Sequence, residues 1–284
     1  MAGILYLCAT PIGNLEDITF RVLRILKEVD LIAAEDTRNS MKLLNHFEIR
    51  TPMTSYHEFN KIEKGKILLN MLLEGMNIAL ITDAGTPGIS DPGEELVLMC
   101  HENGVSVTCV PGPSACISAL VSSGRPTRRF AFEAFLPQDR KKRQQILEEL
   151  QSETRTIVLY EAPHRLVRTL SELIRALGNR PATLCRELTK KHETIWNASL
   201  EEFYEYYQQE KPLGECVLVI EGCSFREREE EDQETWQKLP LTDHVAYYEK
   251  KGCSRKEAMR LAAQDRGVSR RDVYQELLQL HGDL

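Results

Sequence analysis

The sequence predicts an α/β protein of two domains, followed by a small helical module. Three observations predict it. Strand-length apolar runs alternate with helix-period segments from Ile4 to Ile220. Three early strands run into short, stiff loops: Thr10-Pro11-Ile12-Gly13-Asn14, Asp83-Ala84-Gly85-Thr86-Pro87-Gly88 and Pro111-Gly112-Pro113-Ser114-Ala115. Residues 240–284 then break the alternation and read as paired short helices. In open α/β sheets ligands bind outside the carboxyl ends of strands, so three such loops predict one preshaped small-molecule crevice. Proline restricts φ there and glycine admits close backbone approach.

The elements follow in order. Ile4–Ala9 reads as a strand, Thr19–Val29 as an amphipathic helix with Val22, Leu23, Ile25 and Leu26, and Leu31–Ala34 as a strand ending at Glu35-Asp36-Thr37-Arg38. Lys61–Glu74 is helical, Ile78–Thr82 a strand, Glu94–Glu102 a helix stopped at Asn103-Gly104, and Val105–Val110 a strand. Ser114 occupies an N-cap position before the helix Ala115–Ser122. This alternation predicts a mainly parallel first sheet covered by helices, spanning residues 1–123.

Gly124-Arg125-Pro126-Thr127 reads as a linker into a second domain, 124–224. Its strands are Phe130–Phe135, Thr156–Tyr160, Ala182–Cys185 and Cys216–Ile220. Its helices are Gln138–Leu150, Pro163–Leu177 and Leu200–Gln208. A charged linker spans 225–239. In the module 240–284, Ser254-Arg255-Lys256-Glu257 opens a helix, Gly267 breaks it, and Ser269 caps a second helix carrying Val273, Leu277 and Leu280. Residues 251–271 hold seven basic and two acidic side chains, so this helix–turn–helix either sits on phosphate or forms a packing hairpin.

The 284 residues carry a net charge of -7, so contact with nucleic acid requires a local basic patch. The eight cysteines form no Cys-x-x-Cys pair and read as reduced, buried thiols of a cytoplasmic protein. No histidine spacing suits a metal, Met1–Ala9 lacks the basic start of a signal peptide, and no apolar run is long enough for a membrane helix. Neither Gly-x-Gly-x-x-Gly nor a Walker-A loop is present, which disfavours the common nicotinamide and nucleoside triphosphate enzymes.

Several groups can carry chemistry. Asp83, at a strand end, suits ribose hydroxyls or an amino group, or braces its own loop. Glu35, Asp36 and Arg38 form either a salt-bridged turn or part of the cleft wall. His57 and Asn60 lie in a polar, aromatic segment suited to a loop over a site. Tyr160-Glu161 and Arg186-Glu187-Leu188 end strands of the second domain, which places the crevice between domains. Arg125, Arg128, Arg129, Arg140, Lys141, Lys142 and Arg143 face only Glu133 and Asp139 in that window, and Arg165, Arg168 and Arg186 extend this basic cluster. Such charge would steer a polyanion toward the cleft.

Together, Thr10-Pro11-Ile12-Gly13-Asn14-Leu15, Ala34-Glu35-Asp36-Thr37-Arg38, Asp83-Ala84-Gly85-Thr86-Pro87, Asp91-Pro92-Gly93, Pro111-Gly112-Pro113-Ser114-Ala115, Tyr160-Glu161, His164-Arg165 and Arg186-Glu187-Leu188-Thr189-Lys190 resemble the ribosomal RNA small subunit methyltransferase I family of the tetrapyrrole-methylase superfamily. The resemblance covers about residues 4 to 222, and the tail is similar to the family's extension. It implies the two-domain fold of class III methyltransferases, a homodimer, and S-adenosylmethionine in the interdomain cleft. It also implies methylation of the ribose 2′-hydroxyl of a decoding-centre cytidine in small-subunit (16S) rRNA, naked or in the 30S subunit. Pro11, Asp83, Gly85, Thr86, Ile89, Ser114, Ala115, Tyr160 and Leu188 are the implied cofactor contacts. Glu35, Asp36, Arg38, His57, Asn60 and Arg165 are on the implied substrate side, joined by Arg129, Lys141, Lys142, Arg143 and Arg186 from the basic cluster. Asp36, His57 and Glu161 are the candidate proton acceptors, with no metal required. A methylase of a small tetrapyrrole or corrinoid, and a non-catalytic RNA-binding factor, are the competing readings.

Overall fold

The computed structural model describes residues 1–224 and 236–282, the side chains of 280–282 excepted. The expected charged stretch, and the contribution of Leu280 to the last helix, lie outside the described residues or side chains. Two compact units emerge: one of residues 1–151 and 155–221, the other of 152–154 and 222–284.

The larger unit contains two five-stranded sheets. In the first, β1 (Ile4–Cys8), β2 (Leu31–Ala34), β3 (Met53–Ser55), β4 (Ile78–Ile81) and β5 (Ser106–Val110) take the order β3-β2-β4-β1-β5. Every pairing is parallel, as the alternation requires. The helices are α1 (Phe20–Glu28), α2 (Thr37–His46), α3 (Lys61–Leu73), α4 (Glu94–Glu102) and α5 (Ala115–Ser122). Thr19 caps α1 by accepting from Val22 N–H, and Val22, Ile25 and Leu26 bury one face at helical spacing. With apolar helix faces on both sides of it, the sheet is buried, so β4 reads Ile-Ala-Leu-Ile without alternation.

The second sheet joins β6 (Phe130–Phe135), β7 (Thr156–Glu161), β8 (Pro181–Arg186), β9 (Thr194–Ser199) and β10 (Cys216–Ile220) in the order β6-β7-β10-β8-β9. Only β6–β7 is parallel. A bulge between Phe132 and Ala134 shifts the register. The extra residue lets Phe135, like Phe132, meet the Tyr160 ring. One face carries α6 (Arg140–Gln151), α7 (Leu166–Leu177) and α8 (Leu200–Gln209). The other is covered partly by α5, whose Cys116, Ala119 and Leu120 pack on Val158, Val217 and Val219. Thus α5 leaves the first sheet and docks on the second, which unites them in one compact unit.

In the larger unit one α-helix and two strands were not anticipated. Helix α2 buries only Ser40 and Leu44, so it shows little apolar period. Strand β3 is three residues long. Strand β9 is a largely exposed edge strand with a polar sequence.

The described residues of the smaller unit include the helices α9 (Leu241–Lys250), α10 (Arg255–Asp265) and α11 (Arg270–Gly282), rather than a two-helix hairpin alone. Leu241, Val245, Ala258, Ala262, Val273 and Leu277 form its core. Buried His244 stacks on Trp236, bonds Asp265 through Nε2, and accepts from Arg266 Nε at Nδ1. Burial lowers its pKa, so the imidazole is neutral with its proton on Nε2.

Candidate functional site

The three proline–glycine loops are bonded to one another. Thr10 and Gly85 exchange backbone hydrogen bonds of 2.8 and 3.0 Å, and Thr10 Oγ1 donates to Thr82 O at 3.0 Å. Thr86 Oγ1 donates to Pro113 O at 3.2 Å. Two glycines make this possible. Gly85 sits at φ +85°, a region closed to most side chains. A Cβ on Gly112 would stand 2.9 Å from Ala9 Cβ.

These loops wall a cavity of about 440 Å³ at the carboxyl end of the first sheet. Its size falls within the range for small-molecule and cofactor sites. Ile12, Asp83, Gly85, Thr86, Ile89, Ser114 and Ala115 line it from the first sheet's loops. Phe135, Tyr160, Glu161, Leu188 and Val217 line it from the second sheet. Of the nine expected cofactor contacts, eight line this space, and at the ninth position Ile12 takes the place of Pro11.

Ser114 stands at the N-cap of α5, but its side chain does not cap it. The Cys116 N–H is instead satisfied by the Tyr160 hydroxyl at 3.1 Å. Burial pushes the Tyr160 phenol above its ordinary value, with Cys116 adding to the effect. Leu188 is held between two non-glycine residues in the left-handed region, Glu187 (φ 49°) and Thr189 (φ 68°). Ser90 at the cavity wall is a third (φ 65°). Strained backbone concentrated at one cavity marks a geometry that the surrounding fold imposes.

The carboxylates differ in their commitments. Glu35 Oε2 accepts from Thr82 Oγ1 at 2.6 Å and from Asp83 N–H at 3.4 Å. Asp83 Oδ2 accepts from Asn39 Nδ2 at 3.1 Å, and Asp83 lines the cavity. Asp91 was not singled out as a site residue. It lines the cavity, and its pKa is pushed up to about 6. Burial is the main cause; the Thr82 hydroxyl opposes it, and the charges of Glu35 and Asp83 add to it. Its sequence signal was the Asp91-Pro92-Gly93 turn, but only folding sets it beside two other acids.

The expected proton acceptors separate. Asp36 caps α2 and pairs with Arg38 at 3.0 Å, and that guanidinium holds its carboxyl below the usual range. Glu161 has a fully buried side chain. It accepts from the Thr169 hydroxyl and from Ala162 N–H at 2.9 Å, and forms an ion pair with Arg165 Nε at 3.3 Å. His57 is braced by Asn60, whose Oδ1 accepts from His57 N–H at 2.8 Å and whose Nδ2 faces Nε2 at 3.2 Å. Both lie in the segment after β3, at the same sheet edge as Glu35, without lining the cavity.

The basic cluster requires correction. Arg143 is not available to a nucleic acid: its side chain is 5 % exposed, pairs with Glu172, and donates to Thr169 Oγ1 at 2.7 Å. The i, i+4 and i+7 spacing of Arg143 with Leu147 and Leu150 places it on the buried face of α6. Arg186 is also diverted, donating to Tyr207 at 2.9 Å beside Trp196 rather than reaching the cavity. Arg129 precedes β6, about 20 Å of strand from Phe135 at the cavity end. Cys109 departs from the expectation of buried thiols and is exposed. Lys141 and Lys142 are exposed at the start of α6. Among the described residues, no helix is long and apolar enough to cross a membrane.

Comparisons with known proteins agree with this geometry. Residues 4–204 match the family described as tetrapyrrole (corrin/porphyrin) methylases. The chain is 49 % identical over 99 % of its length, and 99 % of the relative's, to a ribosomal RNA small subunit methyltransferase I of Synechocystis sp.. It is 48 % identical to one of Halalkalibacterium halodurans, covering 96 % of this chain and 93 % of that one. Among solved structures, a diphthine synthase superposes with a TM-score of 0.62 at 15 % identity, covering 80 % of this chain and 94 % of that one. A uroporphyrin-III C-methyltransferase of Thermus thermophilus, complexed with S-adenosylhomocysteine, superposes with a TM-score of 0.54 at 23 % identity, covering 77 % and 97 %. The matched segment takes in the first sheet, four of the five strands of the second and all three loops of the cavity, and the chain belongs to the tetrapyrrole methylase family and, within it, to the ribosomal RNA small subunit methyltransferase I group.

Proposed function

We propose that this protein transfers a methyl group from S-adenosylmethionine to the ribose 2′-hydroxyl of a decoding-centre cytidine in small-subunit ribosomal RNA. One observation carries the reading: the family's loop motifs converge on a single cavity in a chain nearly half identical, end to end, to relatives of that name.

The cavity suits the cofactor. The Asp83 carboxylate suits hydroxyl or amino groups, Ile12, Ala115, Leu188 and Val217 supply apolar walls, and Gly85 and Thr86 bring backbone close. When bound, S-adenosylmethionine supplies an electrophilic methyl carbon. The chain's task is to hold the ribose oxygen in line with that carbon, at about 3–3.5 Å, and to accept the hydroxyl proton. Asp91 fits the second role. Its carboxylate is desolvated, faces the cavity, and titrates at about 6, so it is deprotonated near neutrality yet more basic than an ordinary aspartate. Asp36 is held acidic by Arg38, and Glu161 is occupied by Arg165 and Thr169.

The direct test is transfer of label from S-adenosylmethionine to undermethylated small ribosomal subunits, with the modified nucleoside identified by mass spectrometry. A 2′-O-methylated cytidine at the decoding centre is expected. Methylation of a tetrapyrrole in place of RNA would overturn the reading of the substrate.

The protein acts in the cytoplasm as a homodimer in this reading. Phe20, Leu98 and Val121, left in solvent by the single chain, supply apolar surface for a second copy. Sedimentation equilibrium at micromolar concentration returns twice the chain mass, and a single-chain mass would exclude the dimer.

A further inference from the structure

We propose that the groove between α6 and α7 is a second substrate-contact site, which takes phosphodiester groups of the RNA strand flanking the target nucleotide. This rests on the reading that the substrate is RNA.

The groove is basic by construction. Arg165, Arg168, Glu172 and Arg175 follow one another at steps of three, four and three, which is one face of a helix. From Arg165 to Arg175 that face runs about 15 Å. Arg140 and Arg143 lie one turn apart on α6 and border the same groove. Two hollows result. One, of about 370 Å³, is bordered by Arg140, Arg143, Arg168, Glu172 and Arg175. The next, of about 300 Å³, is bordered by Gln138, His164 and Arg165 and shares Arg143 and Arg168 with the first. The two therefore adjoin along one track of arginines.

Its charge exceeds what the fold uses. Glu172 is the only carboxylate bordering either hollow, and it is already divided between Arg143 and Arg168. Arg168 remains 65 % exposed, and Arg140 and Arg175 are exposed with no ion pair among the described residues. Like charges gathered across a groove repel, and an anion between them reverses the sign. Planar guanidinium forks match phosphate oxygens in pairs. Charge repeated along about 15 Å of helix suits a strand with spaced phosphates better than one small anion.

The track also starts at the cavity. Arg165 bonds Glu161, and Glu161 and Pro163 line the cavity wall. A strand leaving the cavity past Pro163 enters the groove at Arg165.

The test uses the full-length protein with Arg140→Glu and Arg175→Glu combined, two exposed sites with no described role in folding. Lys66→Glu, on α3, is the control. Affinity for a fluorescent single-stranded oligoribonucleotide of the decoding-centre sequence is measured by anisotropy across a salt series, beside steady-state methyl transfer. The double variant is expected to raise KM for RNA at least tenfold and to bind S-adenosylmethionine as the wild type does. Its slope of log K against log salt should be shallower by about 1.4, for two lost single-strand contacts. A KM and slope within twofold and 0.3 of wild type would overturn the groove. So would a defect seen on assembled subunits but not on naked RNA, since the groove would then meet a ribosomal protein. Wild-type protein that binds RNA with the expected slope but transfers no methyl sinks the assigned reaction and leaves the groove standing.

Discussion

Asp91→Asn lowers the single-turnover rate of methyl transfer by about 10²–10⁴-fold, the range for losing a positioned general base, while the cofactor still binds. The argument is one of elimination by environment. Of the acids at the site, Glu35 is tied to Thr82 and Asp83 N–H, Asp83 is braced by Asn39, Glu215 is paired with Lys190, and Glu161 is buried under two donors and the Arg165 guanidinium. Asp91 alone combines a cavity position with a carboxyl pushed up to about 6. The pH dependence follows with a definite sign. The active form is the carboxylate, so the wild-type rate rises tenfold per pH unit below about 6 and levels above it. The variant lacks that limb, and its rate is low and flat. Rapid-quench measurements at saturating cofactor and RNA, from pH 5 to 8, check both points. A variant rate within threefold of wild type would remove Asp91 from the chemistry. Weakened cofactor binding with an unchanged single-turnover rate would make it a cofactor contact instead.

Arg143→Glu destabilises the larger unit by about 3–5 kcal/mol, the cost of breaking a buried ion pair and leaving a charge behind. The new carboxylate would stand beside Glu172 and Thr169, where a guanidinium now bonds both. For a unit of this size the melting temperature falls roughly 2–4 °C per kcal/mol, so a drop of roughly 6–20 °C is expected by circular dichroism. Arg143→Met is far milder, because it fills similar volume and leaves Glu172 paired with Arg168 at 2.9 Å. Lys141→Glu and Lys142→Glu, on the exposed face, change stability by less than about 0.5 kcal/mol. A melting temperature for Arg143→Glu within 2 °C of wild type would refute the structural role. Loss of RNA methylation in that variant therefore reports unfolding rather than a missing phosphate contact.

Arg143 shows where a linear reading stops. In the run Arg140-Lys141-Lys142-Arg143 the four side chains are equivalent as charges. The helical period turns the fourth inward, and an acid 29 positions later on α7 receives it. Glu161 and Asp91 teach the same lesson from opposite sides. Glu161 follows a strand and looked available, yet Thr169 and Arg165 from the next turns occupy it. Asp91 lay in a turn and drew attention only as part of a motif, yet burial beside Glu35 and Asp83 changes its basicity. Helix α2 escaped because its polar sequence buries little, and β9 because an exposed edge strand carries no apolar alternation.

The sequence by itself determined the α/β class, the parallel first sheet and the three stiff loops, while the resemblance of its motifs to a known family pointed to ten of the residues that line the cavity. The class, the sheet and the loops are local matters: strand runs, helical periods and the backbone limits of proline and glycine act between near neighbours. Tertiary structure alone decided the rest. It set the antiparallel order of the second sheet, the docking of α5 on that sheet, and the Tyr160 hydroxyl as the cap of α5. It also sorted the acids and arginines into committed and available. That sorting depends on desolvation and on partners distant in sequence, so it exists only once the chain has folded.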